Sequence, residues 1–160
     1  MRISAKQDVE ASLAQVWAIL SDFDGWERAA LRRGAEVTRN DSHRRVTLGS
    51  EWSLRFIHRG RSRSVQLGLT RLDPPHHIEL HLRSAAIEGD LRIELIEMAA
   101  RRTRLHVVTD LKPLNLGARL YLQSLRLARN RVERKYHDRI AFLAREIEQR
   151  AAPRPGDARR

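Results

Sequence analysis

The sequence contains no cysteine, only 5% aromatic residues and very little lysine. Without cysteine, neither a disulfide nor a thiolate metal site can form. No run of apolar residues approaches the roughly 18 that indicate a membrane-spanning helix. The N-terminus alternates between apolar and polar residues and lacks the continuous apolar segment of a signal peptide. We therefore expect a soluble cytoplasmic protein.

The charge is unbalanced, because 31 basic residues stand against 20 acidic ones and the formal net charge is +11. All the basic residues are arginine except Lys6, Lys112 and Lys135. Such an excess is typical of proteins that bind nucleic acid, an anionic membrane surface or an acidic partner. The arginines are spread evenly, however, which favours a general bias in surface composition. We do not expect nucleic acid as a partner. The chain has no exposed aromatic residues interspersed among its basic ones and no known nucleic-acid-binding motif.

The first 34 residues predict a strand followed by two short helices. Residues 2–11 alternate between apolar and polar side chains, as in a half-buried strand. Ser12 and Gln15 form a capping-box pattern that begins the first helix. Asp22 or Asp24 caps the second helix, and Gly34 follows at the position of a C-terminal cap.

A series of alternating segments follows and predicts an antiparallel sheet with one covered and one solvated face. The segments are 36–39, 51–58, 65–69, 77–83, 91–95 and 104–111. Turn-forming residues separate them, notably Gly60 and the Asp73-Pro74-Pro75 sequence. With the first strand, this gives a sheet of about six to seven strands.

The segment from Asn115 to Arg150 is the long element that could cover this sheet. It contains no proline, and its apolar residues recur at steps of three to five, which predicts one amphipathic helix. At 1.5 Å per residue such a helix would span roughly 50 Å. The order of elements predicts a single α+β domain over residues 1–150. The proline-containing tail, 151–160, is predicted to be disordered.

Several short motifs resemble those of the SRPBCC superfamily, which includes START-type lipid carriers, Bet v 1-like proteins and polyketide cyclases. They are Val16 to Phe23, Trp26, Gly49 to Trp52, and Asp73 to Pro75. The resemblance covers roughly residues 1–150. It implies a helix-grip fold, in which a curved antiparallel sheet wraps around the final helix and leaves a hydrophobic cavity between them.

The chain departs from the superfamily pattern near the expected mouth of this cavity. Ser12-Leu13 stands where many members have a proline, and Glu27 to Ala30 stands where many have a second tryptophan and a proline. Ligand size therefore cannot be transferred from the resemblance.

The inner face of the sheet and the facing residues of the final helix form the predicted ligand site, although the same pattern describes an ordinary packed core. This set comprises Trp52, Leu54, Phe56, His58, Leu67, Leu80, Leu82, Leu91, Ile93, Leu105, Val107, Thr109, Leu125, Val132 and Tyr136. His58 and Tyr136 are the candidate catalytic residues, as acid/base groups. His58 could instead be solvated at its strand end, and a buried Tyr136 could need its hydroxyl bond only for structure.

Two other polar clusters have simpler explanations. His77, Glu79 and His81 share one face of a strand and could bind zinc, but cross-strand charge pairing on the outer face explains them better. Helix capping and the helix dipole likewise explain the carboxylates of Asp22, Asp24 and Glu27. We expect neither a metal nor a cofactor.

The preferred hypothesis is a non-enzymatic module that binds or transports a hydrophobic small molecule or lipid between the sheet and the final helix. The first alternative is an enzyme resembling polyketide cyclases or dehydratases. The second is a docking module in which basic residues of the final helix contact a protein or an anionic membrane surface. The basic residues are Arg126, Arg129, Arg131, Arg134 and Lys135. The sequence does not indicate an oligomeric state.

Overall fold

The computed structural model describes residues 1–40 and 45–153. Its elements in chain order are β1 (Arg2–Val9), α1 (Leu13–Leu20), α2 (Phe23–Arg32), β2 (Glu36–Arg39), β3 (Glu51–His58), β4 (Arg61–Asp73), β5 (His77–Arg83), β6 (Ile87–Ala99), β7 (Arg102–Pro113), α3 (Leu116–Leu127) and α4 (Arg129–Ala151). Most of the polar loop predicted after β2, and most of the predicted disordered tail, lie outside the described residues.

The strands form one curved antiparallel sheet in the order β1-β7-β6-β5-β4-β3-β2. Strands β2 to β7 follow one another as sheet neighbours, and β1 pairs with β7 at the far edge. The ladder shifts register between Leu69 and Arg71 and between Glu97 and Ala99. Such irregularities bend and twist a strand. The predicted helix-grip α+β fold is confirmed.

The alternation of apolar residues also predicted the inner face of the sheet correctly. Leu67 pairs with Leu82 across β4 and β5, and Leu80 pairs with Leu91 across β5 and β6. Directly paired residues of an antiparallel sheet point to the same side. The leucines therefore form continuous rows on the face that the helices cover.

Both short helices begin as their capping residues predict. The Ser12 Oγ accepts a hydrogen bond from the Gln15 backbone N–H at 3.3 Å, and the Gln15 Oε1 accepts one from the Ser12 N–H at 3.0 Å. The Asp22 carboxylate caps α2 by accepting from the Gly25 N–H at 3.0 Å. Gly34 follows α2 with a φ of 86°, the left-handed conformation that glycine adopts most readily.

The prediction of one helix from Asn115 to Arg150 was wrong, because the segment forms two helices separated at Ala128. The backbone there has φ −97° and ψ 27°, outside the helical range. The Ser124 hydroxyl donates to the Tyr121 carbonyl at 2.6 Å, one turn earlier. Side-chain bonds of this kind compete with the helical ladder and bend helices. The break lets α3 pack beside β7 while α4 lies across β1.

The helices leave the sheet covered unevenly. Ile140, Ala144 and Ile147 of α4 are buried against the sheet and fill the space beneath that helix. In residues 1–40 and 45–153, no helix is long and apolar enough to cross a membrane.

Candidate functional site

A cavity of about 270 Å³ lies between α2 and the inner face of the sheet. Its lining residues are Leu20, Phe23, Trp26, Glu27, Ala30, Val37, Trp52, Leu54, Leu67, Ile78, Leu80, Ile93 and Leu143. Glu27 is the one charged residue in this set. The cavity therefore has an almost entirely apolar wall with a single carboxylate in it.

Helix α2 forms one wall because its cavity-lining residues have helical spacing. Phe23, Trp26, Glu27 and Ala30 occupy positions i, i+3, i+4 and i+7, which share a helix face. The Trp26 indole N–H donates to the Ile19 carbonyl at 3.0 Å, which holds the ring in place. This helix therefore presents two aromatic rings and a carboxylate to the cavity.

The opposite wall comes from β3 to β6. Five residues of the predicted ligand set line it: Trp52, Leu54, Leu67, Leu80 and Ile93. The Phe23 ring packs near the Trp52 ring, with 5.6 Å between the centroids. The sheet and α2 are thus in direct aromatic contact at one end of the cavity.

The remaining members of the predicted set lie elsewhere. Leu105 and Val107 are buried in the packed core, and Phe56 borders a neighbouring depression beside α2. Leu82, Leu91, Thr109, Leu125, Val132 and Tyr136 are half-buried and do not line the cavity. The final helix was predicted to cover the cavity, yet it contributes only Leu143 to the lining. Its buried side chains Ile140, Ala144 and Ile147 pack directly on the sheet instead.

The two candidate catalytic residues are not brought together at the cavity. His58 is exposed at the end of β3, where it pairs with Arg61 across the hairpin. Tyr136 is half-buried, and its hydroxyl forms a 2.8 Å hydrogen bond with the Thr109 hydroxyl. Burial raises the pKa of Tyr136 above its ordinary value, and the bond to Thr109 acts in the opposite direction.

Glu27 lines the cavity, although helix capping and the helix dipole were predicted to explain it. Of the three carboxylates attributed to capping, Asp22 caps α2, whereas Glu27 turns towards the sheet. The Glu27 Oε1 accepts a hydrogen bond from the Trp52 indole N–H at 2.6 Å. The Arg39 guanidinium lies 3.8 Å from the same oxygen and 3.3 Å from the Asp24 carboxylate. The sequence feature that could have placed Glu27 in the cavity is its helical spacing from Phe23, because this spacing puts both residues on one face of α2.

The outer face of the sheet carries paired charges, as its sequence pattern indicated. Glu94 lies 3.7 Å from the His77 imidazole and 3.3 Å from the His106 imidazole. His81 bonds to Asp90 at 2.9 Å, each on its own strand. Among the residues that the structure describes, no group of three or more histidine or acidic side chains is arranged to hold a metal ion.

Comparison with known proteins connects this architecture to a family. A family model described as polyketide cyclase / dehydrase and lipid transport matches residues 1–148. The chain resembles the Zhui aromatase/cyclase from Streptomyces sp. R1128, with a TM-score of 0.67 and 17% identity over 98% of both chains. A START superfamily protein from Mycobacterium smegmatis gives a TM-score of 0.59 and 18% identity, covering 94% of this chain and 96% of the other.

A plant enzyme has the same fold. Truncated norcoclaurine synthase from Thalictrum flavum gives a TM-score of 0.61 and 12% identity, covering 78% of this chain and 82% of its own. Identities this low show a common fold alone. No match to a curated protein was found by sequence.

Proposed function

The chain belongs to the polyketide cyclase/dehydrase and lipid transport family within the SRPBCC superfamily, and from that premise we propose that it binds a small hydrophobic molecule in the cavity under α2. The observation that supports this most directly is the cavity itself, which is apolar apart from one carboxylate. Ligand sites typically combine hydrophobic walls with few polar groups in this way. A single-domain organisation over residues 1–150 and a cytoplasmic location stay predictions.

The size of the cavity limits the ligand. At about 270 Å³ it lies just below the usual range for small-molecule sites, roughly 300–1,000 Å³. It would hold a compact molecule whole, or the apolar end of a longer lipid. Each Å² of apolar ligand surface removed from water contributes about 25 cal/mol, from which the entropic cost of association is subtracted.

Helix α2 would act as the movable cover of the cavity. Arg33, the residue directly after α2, pairs with Glu146 of α4 at 3.2 Å. The Arg150 guanidinium lies 4.3 Å from the centre of the Trp26 ring and 3.0 Å from Glu146. Because Arg33 is largely exposed, its ion pair is worth about 0–1 kcal/mol. Opening α2 would break these weak contacts with α4, and also the hydrogen bond and the ion pair that join α2 to β3 and β2.

A filled-cavity variant tests the proposal. Ala30 lines the cavity, so Ala30→Phe should occupy part of it and weaken binding of an uncharged apolar dye such as Nile red at least tenfold. Ala100 lies exposed in the turn between β6 and β7, and Ala100→Phe adds the same ring outside the cavity. It should leave the dye titration unchanged. Equal dye binding by the wild type and both variants would place the dye elsewhere and reject the proposal.

The enzymatic alternative is less well supported by the geometry. A cyclase or dehydratase needs an acid/base group within hydrogen-bonding reach of its substrate. Neither His58 nor Tyr136 lines the cavity, and the Tyr136 hydroxyl is already bonded to Thr109. Glu27 is the one acid/base group among the cavity-lining residues, and no second one accompanies it. We therefore propose binding or transport as the main function.

A second candidate function is contact with an anionic membrane surface, and α3 is the feature that favours it. Leu116, Leu120 and Leu127 lie on one side of this helix and are 69%, 59% and 91% exposed. Arg119 and Arg126 are exposed on the same helix, which contains no acidic residue. An exposed apolar stripe beside basic residues is typical of helices that lie in a membrane interface.

Vesicle sedimentation tests this second function. The wild type should co-sediment with phosphatidylserine-containing vesicles, and the double variant Leu120→Ser/Leu127→Ser should lose most of that binding. Ile57→Ser is the control, because Ile57 is a 74% exposed apolar residue on β3. Binding that survives in the leucine variant, or is lost equally in the control, would contradict a role for α3.

A further inference from the structure

The Glu27 carboxylate is the feature of the cavity that an apolar ligand alone does not explain. Its side chain is 25% exposed, and it lies in a wall whose other members are apolar. Removing a carboxylate from water is costly unless hydrogen bonds compensate for the loss. A leucine here would line the same cavity without that cost.

The protein groups that stabilise the Glu27 carboxylate contact one of its two oxygens. The Glu27 Oε1 accepts from the Trp52 indole N–H at 2.6 Å, and the Arg39 guanidinium lies 3.8 Å from that same atom. Within residues 1–40 and 45–153, no hydrogen bond reaches the Glu27 Oε2. An ionised carboxylate has about four acceptor sites over its two oxygens. The second oxygen is therefore able to accept a hydrogen bond from a molecule in the cavity.

The surroundings favour a neutral donor over a cationic one. An ammonium group entering this cavity would lose its water among aliphatic and aromatic side chains, with one carboxylate to compensate it. The Arg39 guanidinium already offsets part of the negative charge of Asp24 and Glu27, which leaves less charge to attract a cation. A hydroxyl group loses far less on leaving water, and it can donate one strong hydrogen bond to a charged acceptor.

We propose that the cavity selects an apolar molecule that carries a hydroxyl group, and that the Glu27 Oε2 accepts the hydrogen bond from that hydroxyl. This inference rests on the proposed function, because it names the ligand class for the same cavity. Trp52 is then a positioning residue, since its indole holds the carboxylate through the other oxygen. The apolar walls bind the body of the ligand, and Glu27 distinguishes alcohols or phenols from plain hydrocarbons.

Two compounds of similar shape test the selectivity. Isothermal titration with 1-naphthol and with 1-methylnaphthalene gives a ratio of dissociation constants for each protein. Because every protein is measured against the same pair, differences in the hydrophobicity of the compounds cancel between proteins. A hydrogen bond to a charged group is typically worth a factor of ten or more in affinity. Glu27→Leu should therefore reduce the preference for 1-naphthol about tenfold, and Glu27→Gln should reduce it less.

Asp24 supplies the matched control. It lies on the same helix and pairs with the same Arg39 guanidinium at 3.3 Å, but it does not line the cavity. Asp24→Leu removes the same charge from α2 and should keep the wild-type ratio. Binding of 1-methylnaphthalene by each variant verifies that its cavity is intact.

The outcomes separate the two proposals. If Glu27→Leu and wild type show the same ratio while both bind 1-methylnaphthalene, the hydroxyl inference is overturned and the apolar cavity function stands. An equal loss of preference in Asp24→Leu would also overturn it, because the effect would then come from the general charge of α2. If the wild type binds neither compound, the proposed function is rejected together with the inference.

Discussion

A matched pair of leucine truncations should distinguish the empty part of the interior from its packed part. Leu80 and Leu105 both point to the inner face of the sheet, but Leu80 lines the cavity and Leu105 is 0% exposed in the core. Truncating a packed leucine to alanine removes its transfer free energy and leaves a new void, at a total of about 3–5 kcal/mol. We expect Leu105→Ala to fall in this range.

Leu80→Ala should cost much less, about 1–2 kcal/mol. Its side chain already borders open space, so truncation enlarges an existing cavity and forfeits only the contacts on its packed side. The difference of roughly 2–3 kcal/mol should appear in urea unfolding as a lower midpoint for Leu105→Ala at a similar m-value. It also corresponds to a gap of several degrees in Tm for a chain of this length. Equal losses in the two variants would show that the space beside Leu80 is filled, and would refute the reasoning.

Two further predictions concern strand β6 and helix α4, outside the cavity lining. A Cβ at Gly89 would clash with the Asp110 backbone carbonyl oxygen of β7, whereas one at Gly68 would meet nothing closer than 3.9 Å. Gly89→Ala should therefore destabilise by about 2 kcal/mol or more and Gly68→Ala by well under half of that, measured by urea unfolding; similar losses would contradict the close approach at Gly89. Because burial raises the pKa of Tyr136, ultraviolet titration of Tyr121→Phe, which leaves one tyrosine, should show ionisation above a pH of about 10. Adding Thr109→Val removes the bond that lowers this pKa and should move the midpoint further up; an unchanged or lower midpoint would show that the 2.8 Å bond does not act on Tyr136.

The fold was predictable because its signals are local and repeated. Period-two alternation identified the inner face of the sheet, and the Ser12–Gln15 capping box began α1 where the pattern indicated. The break at Ala128 carries no such signal. It depends on the Ser124 hydroxyl bonding one turn back and on α3 and α4 packing against different strands. The spacing of apolar residues along a helix reports neither this local side-chain bond nor the tertiary packing.

Of the candidate site, only the residues contributed by the sheet could be predicted from the sequence. Alternation identified Trp52 and Leu80 as residues of the inner face. It could not show where along the sheet the cavity lies, because the position of the cavity depends on how α4 and α2 pack on that face. Glu27 was attributed to helix capping since it follows Asp22 and Asp24 in the first turns of α2. Its spacing from Phe23 was the available clue, and it became informative once α2 was known to face the sheet.

A crystal structure of the protein with a bound apolar dye tests the claim that the space under α2 is a ligand site. We expect electron density for one dye molecule in contact with Trp26, Trp52 and Leu80. We also expect this density to be absent from crystals of Ala30→Phe grown with the same dye. A cavity filled by side chains, or dye bound instead along the exposed leucines of α3, would contradict the claim.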